Sequence, residues 1–307
     1  MGRGSCARCD DRGVEVRVFV FGAGFSGQAF AKEIAGTAEF VGGTTRSREK
    51  APALARCSMK PFLFEGNALS AEIASALSSV SHLVISIAPG EDSDPAFLAA
   101  RETILCSMPA LEWIGYLSTV GVYGDHGCAW VNEESECRPV SRRSAARLQA
   151  EERWLGLGRE RGCPLAILRL SGIYGPGRNA FVNLERGTAR RIIKPGQVFN
   201  RIHVDDIAGA LLHLAQGRIG GIFNVSDDKP SPPQDVVEHA ARLMGIEPPP
   251  EVPFESAGLS PMARSFYDEC KRVANGRIKA AGYRFRYPDY IAALDDMWRR
   301  GAWRGQA

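Results

Sequence analysis

The chain predicts an α/β fold, a doubly wound parallel sheet with a small C-terminal lobe. Two observations carry this. Short runs rich in Val, Ile, Leu and Phe recur between residues 16 and 117, separated by stretches with helix signals. That alternation is the pattern of parallel strands joined by crossover helices. The first run, Val16-Arg17-Val18-Phe19-Val20-Phe21, feeds straight into Gly22-Ala23-Gly24-Phe25-Ser26-Gly27, followed by a helix from Gln28 to about Ala35.

Glycines spaced G-x-G-x-x-G between a strand and a helix match a Rossmann-type phosphate-binding turn. Gly22 permits the tight exit from the strand. Gly24, without a side chain, lets a pyrophosphate approach the backbone near Phe25 and Ser26, and Gly27 lets the helix lie close to the strand. Free amides at the helix start then favour negative charge. The reading without a ligand is a plain Gly-rich turn.

The later elements follow in order. Glu39 to Arg46 reads as the second strand and its exit, where a dinucleotide's adenosine ribose would lie. An acidic residue there selects NAD. This chain instead has Thr45, Arg46, Ser47 and Arg48, which suit a 2′-phosphate and so NADP(H) over NAD(H). Pro61–Phe64 is a third strand, and Ser70 to Leu77 a helix. His82–Ile87 is a fourth strand, with His82 structural, and it ends in Ala88-Pro89-Gly90. Pro95 to Cys106 is a helix with Pro in its first turn. Trp113–Leu117 is a fifth strand.

Composition bounds the class. Apolar residues make up 45% and charged residues 24% of 307 residues, the balance of a soluble globular chain of one or two closely joined domains. A net charge of +3 argues against nucleic acid or an anionic membrane as partner. The apolar runs are too short and too interrupted by charge to span a bilayer, and no signal peptide is evident. Cys6 and Cys9 form a C-x-x-C with no second ligand pair at zinc spacing, so no metal is expected. Reduced thiols in a cytoplasmic protein are the expectation for the eight cysteines. Residues 1–13 are expected to be a disordered extension, residues 14–175 the nucleotide-binding domain, and residues 176–307 mainly the substrate lobe, with 200–225 returning to the core.

The fifth strand continues into Ser118-Thr119-Val120-Gly121-Val122-Tyr123-Gly124. Later come Leu168-Arg169-Leu170-Ser171-Gly172-Ile173-Tyr174-Gly175-Pro176-Gly177, then Asn200-Arg201-Ile202-His203-Val204-Asp205-Asp206-Ile207-Ala208, then Gly221-Ile222-Phe223-Asn224-Val225. In this order the stretches resemble the extended short-chain dehydrogenase/reductases, a group that includes nucleotide-sugar epimerases and dehydratases. The resemblance runs from about Val16 to Trp298. It implies NAD(P) binding at Gly22–Gly27, Ala88, Pro89, Ser118, Leu170, Ser171 and Ile173. It also implies a small-molecule substrate and a homodimer through helices near 95–106 and 141–159.

By the same resemblance Thr119 takes the catalytic Ser/Thr position, its hydroxyl bonding a substrate carbonyl or alcohol. The family then places Tyr-x-x-x-Lys on the next helix, the phenol moving a proton while the ammonium lowers its pKa. Here that helix reads Ser141-Arg142-Arg143-Ser144-Ala145-Ala146-Arg147-Leu148-Gln149-Ala150-Glu151. Arg143 falls on the tyrosine and Arg147 on the lysine, one helical turn apart. Arg147 can serve a ribose. Arg143 cannot replace the phenol, because a guanidinium keeps its proton near neutrality. No tyrosine lies between Tyr123 and Tyr174. The chain therefore resembles the atypical extended subgroup, in which this pair is commonly lacking.

Three readings stay open on the sequence. One is an oxidoreductase or epimerase/dehydratase-like enzyme with a relocated acid/base, drawn from Tyr123, Tyr174 and His203. Another is a non-catalytic NADP(H)-binding sensor or regulatory protein. The last is a scaffold with a vestigial site. In the lobe, Phe181 to Arg190 reads as a helix at the cleft mouth, with Arg178 and Arg201 as substrate contacts. The family's phosphate-binding arginine falls on Phe199. Val204 to Gln216 is a helix with Asp205 and Asp206 at its positive end. Ser231 is expected to cap a helix from Gln234 to Met244, 260–272 to form a flap, and Val273–Ala281 and Asp289–Trp298 to close the chain as helices.

Overall fold

The computed structural model describes residues 16–90 and 93–305. The Cys6–Cys9 pair and the extension expected over 1–13 lie outside the described residues. In chain order the first half holds β1 (Val16–Phe21), α1 (Phe25–Ile34), β2 (Ala38–Thr45), α2 (Ala51–Arg56), β3 (Lys60–Leu63), α3 (Ala71–Leu77), β4 (His82–Ile85), α4 (Pro95–Cys106) and β5 (Trp113–Thr119). Then follow β6 (Trp130–Val131), α5 (Arg142–Arg161), β7 (Leu165–Leu170), β8 (Gly172–Tyr174), α6 (Ala180–Glu185), β9 (Arg191–Ile193), β10 (Arg201–His203), α7 (Val204–Gln216) and β11 (Gly221–Val225). The chain closes with α8 (Pro233–Met244), β12 (Glu251–Pro253), α9 (Pro261–Ser265), β13 (Arg272–Val273), α10 (Gly276–Ala280) and α11 (Tyr290–Arg299).

Seven strands form one parallel sheet in the order β11-β7-β5-β4-β1-β2-β3. The order reverses at β1, so the crevice beyond the carboxyl ends of β1 and β4 is a topological switch point. The central strands are apolar on both faces because helices cover both. One core gathers Val18, Val20, Phe30, Ile34 and the α7 residues Ile207, Leu211 and Leu214. The other gathers Phe19, Phe21, Ile73, Leu77, Ile104, Tyr116 and Trp154. Each fully buried Phe of β1 is stabilised by about 1.5–3 kcal/mol relative to exposure.

Caps set the helix starts. Ser70 accepts from the Ile73 amide at 3.2 Å and Ser141 from Ser144 at 3.1 Å. Asp94, 1% exposed, accepts from the Phe97 amide at 3.1 Å and from the Trp154 indole at 2.8 Å, joining α4 to α5. His82 is structural: it bonds Ser81 Oγ and the Ala215 carbonyl, and burial lowers its pKa.

Some expectations are corrected. Helix α1 begins at Phe25, because Gly24 already supplies the extended cap, so Gly27 lies within the first turn. Ser231 does not cap α8; Pro232 holds that position, and Ser231 Oγ instead accepts from Arg201. The helix at Phe181 stops at Glu185, with Gly187 at φ +65°, and Arg191–Ile193 leaves as strand. The segment expected as one helix from Val273 splits into β13 and α10. Short two-stranded ribbons β8–β10, β9–β12 and β6–β13, none expected, build the lobe.

The reduced-thiol expectation fails for Cys128 and Cys270, which the structure joins in a disulfide across a sequence separation of 142. Cys57, Cys106, Cys137 and Cys163 are free. Among the described residues no helix is long and apolar enough to cross a membrane, and no His/Cys/Asp/Glu group could hold a metal ion.

Candidate functional site

A cavity of about 590 Å³ opens at the switch point. Gly22, Ala23 and Gly24 form its floor, Thr44, Thr45, Arg46, Ser47 and Lys50 one wall, and Ser86, Ile87, Ala88, Pro89 and Gly90 another. Phe64, Glu65, Gly66 and Pro95 complete it. Gly22 has φ +87°, and a Cβ there would meet Ile87 Cγ1 at 2.8 Å. At Gly24 a Cβ would meet nothing within 4 Å, because that side faces the cavity. A Cβ on Gly27 would lie 3.1 Å from both the Gly22 carbonyl and Val20, which is the close helix–strand packing the motif demands.

The turn is braced from β2. Gly22 N donates to Thr44 Oγ1 at 2.7 Å and Ala23 N to the Thr44 carbonyl at 2.9 Å. The first bond of the α1 ladder runs from Gln28 N to Gly24 O at 2.9 Å. The amides of Phe25, Ser26 and Gly27 precede that ladder, and Gly24 offers no side-chain cap, so the helix start presents donors to an anion.

Of the residues read from sequence as cofactor contacts, Gly22, Gly24, Thr45, Arg46, Ala88 and Pro89 line this cavity. Phe25, Ser26, Gly27, Ser118, Arg147, Leu170, Ser171 and Ile173 are not in its lining. Phe25 instead faces the 171–177 loop, its ring 3.4 Å from where a Cβ of Gly175 would sit. Leu170 is in the core, and Ile173 packs against it. Lys50 is a lining residue that the sequence reading missed. It sits on a short 3₁₀ turn, Arg48–Lys50, preceding α2, and only that turn brings it back toward Arg46. No acid ends β2, whose last residue is Thr45.

The carboxyl ends of β5, β7 and β11 lie side by side, with Thr119 opposite Leu170 and Leu170 opposite Val225. Thr119 is partly exposed, and its Oγ1 accepts from the Gly121 amide at 3.1 Å. Ser144 Oγ lies beside it. A Cβ on Gly121 would be 3.0 Å from Ser144 Oγ and 3.4 Å from Thr119 Oγ1. Ser144 also takes a bond from Ser141 Oγ at 3.0 Å. It follows Arg143 directly, so this hydroxyl flanks the position where the resemblance puts the phenol.

The other polar residues nearby form a closed network. Ser118 Oγ donates to Glu151 Oε1, which is 1% exposed. Arg169 donates to Glu151 through Nε at 3.2 Å and Nη2 at 2.7 Å, and through Nη1 to the Tyr123 hydroxyl at 3.0 Å. Tyr123 donates to Asn224 Oδ1 at 2.8 Å.

This geometry corrects Tyr123 and places Ser118, Arg147 and Arg143. Tyr123 is fully buried, both bonds of its hydroxyl are made inside the protein, and burial raises its pKa, so it is no cleft acid/base. Ser118 turns its hydroxyl inward. Arg147 directs Nη1 to the Leu117 carbonyl and stacks over the Tyr116 ring, toward β5. Arg143 is exposed and, among the described residues, makes no hydrogen bond or ion pair.

Tyr174 and His203 sit together in the lobe, ring centroids 5.3 Å apart. His203 is 1% exposed, packs on Tyr287, and accepts from the Asp205 amide through Nδ1. Burial lowers its pKa to about 4, so it is neutral. Tyr174 has its pKa raised by burial and by the nearby Asp227 and Asp206 charges. Arg178 is exposed, and Arg201 is partly buried.

The profile of the NAD dependent epimerase/dehydratase family matches residues 18–226. A solved structure of a functionally unknown conserved protein from Silicibacter pomeroyi DSS superposes with TM-score 0.84 at 41% identity, covering 93% of this chain and 99% of that one. Protein YeeZ of Escherichia coli is 26% identical, covering 89% of this chain and 97% of its own length. A 3-diazoavenalumate denitrifying reductase of a Streptomyces species is 28% identical, but over 42% of this chain and 45% of that protein. The chain belongs to the NAD dependent epimerase/dehydratase family.

Proposed function

We propose that this chain binds NADP(H) in preference to NAD(H), across Gly22–Gly27, and is an oxidoreductase or epimerase/dehydratase-like enzyme acting on a small carbonyl or alcohol metabolite. The observation that carries the reading is the cavity itself. Its floor is the Gly-rich turn and its wall brings Arg46 and Lys50 together where β2 ends without an acid. The donors fit the group: backbone amides for the pyrophosphate, two cations and the Ser47 hydroxyl for a ribose phosphate, while the Thr45 hydroxyl donates to the Ser47 carbonyl and shapes that turn. Bound there, the cofactor supplies hydride chemistry.

The chain's own part in that chemistry is positional. Thr119 stands at the end of β5 with its hydroxyl oxygen accepting from Gly121, which leaves the O–H free to donate to a substrate oxygen. Ser144 supplies a second hydroxyl next to it. The Glu151–Arg169 pair fixes Ser118, the residue before Thr119, and so sets where that hydroxyl lies. The 3-diazoavenalumate reductase match is consistent with reductive chemistry.

A second reading draws on the inward Tyr123 and the Arg147 bond to Leu117: the protein binds NADP(H) without turnover, as a sensor. Calorimetric titration with NADPH and with NADH, followed by a carbonyl panel, separates the outcomes. Tight NADPH with weak NADH and any turnover supports the enzyme. Tight NADPH without turnover supports the sensor. Binding of neither cofactor overturns both.

A further inference from the structure

The Cys128–Cys270 disulfide joins the nucleotide-binding half to the lobe. Cys128 lies on the loop that leaves Thr119 through the 3₁₀ turn Val120–Tyr123. Cys270 ends the lobe segment that begins at Phe254. A third segment, the turn between β9 and β10, closes on the same point. Its Gly196 carbonyl oxygen lies 3.4 Å from Cys128 Sγ and 3.8 Å from Cys270 Sγ. The loop also grips Cys270 by its backbone. His126 N and Cys128 N donate to the Cys270 carbonyl at 3.1 and 2.8 Å, and Cys270 N donates to Asp125 Oδ1 at 2.7 Å.

The surroundings favour reversible opening of this bond. Cys270 is buried, but Cys128 is partly exposed, so an external thiolate can reach its sulfur. Cys128 sits at φ +66°, a left-handed conformation unfavourable for a residue with a Cβ. The Gly196 carbonyl receives no proton from a disulfide, whereas either thiol can donate one to it. Reduction therefore gains a hydrogen bond at this point. The Arg272 guanidinium donates to the Cys128 carbonyl and, among the described residues, makes no ion pair. A cation beside a cysteine favours the thiolate and so eases exchange.

The segment that Cys270 ends is anchored on both sides and loose between them. Phe254 and Tyr267 sit in a small apolar cluster with Ile192 and Ala257. Arg190 donates to the Ala257 carbonyl and Lys194 to that of Tyr267. Between these anchors α9 buries no residue, and Met262 and Phe266 are 57% and 64% exposed. Tyr267 packs on Phe199, just before β10, at 5.1 Å. The segment therefore bridges the loop after Thr119 and the strands of the lobe.

We propose that Cys128–Cys270 is a reversible redox site, and that its opening by a dithiol reductant loosens the 257–269 segment from the loop that follows Thr119. A thiolate of the reductant attacks Cys128 Sγ, the S–S bond breaks, and Cys270 leaves as a thiolate that takes up a proton. The reductant's second thiol then displaces Cys128 from the mixed disulfide. Two electrons and two protons enter the protein, and the reductant leaves as its own disulfide. The backbone bonds to Cys270 persist in the reduced protein and keep the segment docked on average. What the covalent bond suppresses is local opening. The redox state of the pair thereby sets how freely the lobe parts from the Thr119 loop. This site does not rest on the cofactor or enzyme reading above.

The test compares the full chain in its oxidised form and after dithiothreitol in native buffer. Alkylation and mass spectrometry find new thiols at Cys128 and Cys270. Hydrogen–deuterium exchange over 257–269 becomes roughly tenfold faster or more on reduction, while β1 stays protected over the same minutes. Oxidised glutathione restores the slow exchange. Cys128→Ser/Cys270→Ser exchanges fast with or without dithiothreitol, which assigns the effect to this pair and not to Cys57, Cys106, Cys137 or Cys163. If that variant fails to fold, the two forms of the wild type decide alone. A bond that yields only in denaturant overturns the proposal. So does equal exchange over 257–269 in the two forms, or loss of β1 protection together with it, which makes the bond a staple of the whole fold.

Discussion

Arg169 and Glu151 form an ion pair at 2.7 Å with side chains 4% and 2% exposed, one on β7 and the other on α5. The pair is closed on both sides, by Ser118 on the carboxylate and Tyr123 on the guanidinium. It therefore couples the end of β5, which carries Thr119, to the helix that carries Arg143 and Arg147. Glu151→Ala leaves a buried guanidinium without its counter-charge and should cost about 3–5 kcal/mol in urea unfolding. The double variant Glu151→Leu/Arg169→Met should cost less than Glu151→Ala alone. If the double variant is the least stable, the network's energetics are misassigned.

Arg46 and Lys50 stand on one wall of the cavity. Arg46→Ala or Lys50→Ala should weaken NADPH binding roughly tenfold while NADH binding barely changes, since each removes a charge-assisted bond to the 2′-phosphate alone. Equal losses for both cofactors would place these residues elsewhere on the ligand.

Thr119→Val keeps the shape and removes the hydroxyl. Once a substrate is in hand, kcat should fall roughly a hundredfold, as for other donors aimed at a reacting oxygen. Thr119→Ser should retain most of it. Equal kcat in the wild type and Thr119→Val removes the hydroxyl from the mechanism.

Two buried groups oppose each other in pH dependence. His203 falls from 6.5 to about 4 on folding, so the unfolded chain binds the extra proton between those values and stability is lost as pH falls through that window. Asp227 rises from 3.8 to about 8, so the folded protein keeps the proton and stability is lost as pH rises through that window. Asp227→Asn should therefore be more stable than wild type at pH 8 and lose its decline toward alkali. His203→Asn should lose the decline toward acid. Chemical denaturation across pH 4–9 checks both, and superimposable curves would contradict the buried placements.

The Cys128–Cys270 bond ties the loop before β6 to the segment after α9. Non-reducing peptide mapping should recover the two peptides linked. Replacing both with Ser should lower stability by about 2–4 kcal/mol, partly offset because hydrogen bonds from Cys270 N to Asp125 Oδ1 at 2.7 Å and from Lys271 Nζ to the Gly124 carbonyl at 2.8 Å remain. Free thiols at both positions in the purified protein would refute the bond.

Much of the sheet was legible in the chain because its signals are local. β1 and the glycines after it, Ser70 as a cap, and Pro95 opening α4 each announce themselves within a few residues. Ser231 was misread for the same reason. Its neighbourhood looks like a helix start, but Arg201, distant in sequence, competes for its hydroxyl. Lys50 escaped because nothing in its own stretch says that the backbone turns back toward Arg46.

The sequence by itself determined the α/β class, the strand–turn–helix frame for a dinucleotide, and the want of a tyrosine on the helix after Thr119. These depend on backbone conformation, side-chain size and residue identity, which neighbouring residues express directly. Only the tertiary structure decided which titratable groups are usable. Tyr123 and Arg201 each stand in a stretch that points to the cleft. Packing puts one into a closed network with Arg169 and Asn224, and leaves the other a partly buried cation with neutral partners. Burial and counter-charge are set by segments far apart in the chain, and they decide whether a polar group is structural or available to a ligand.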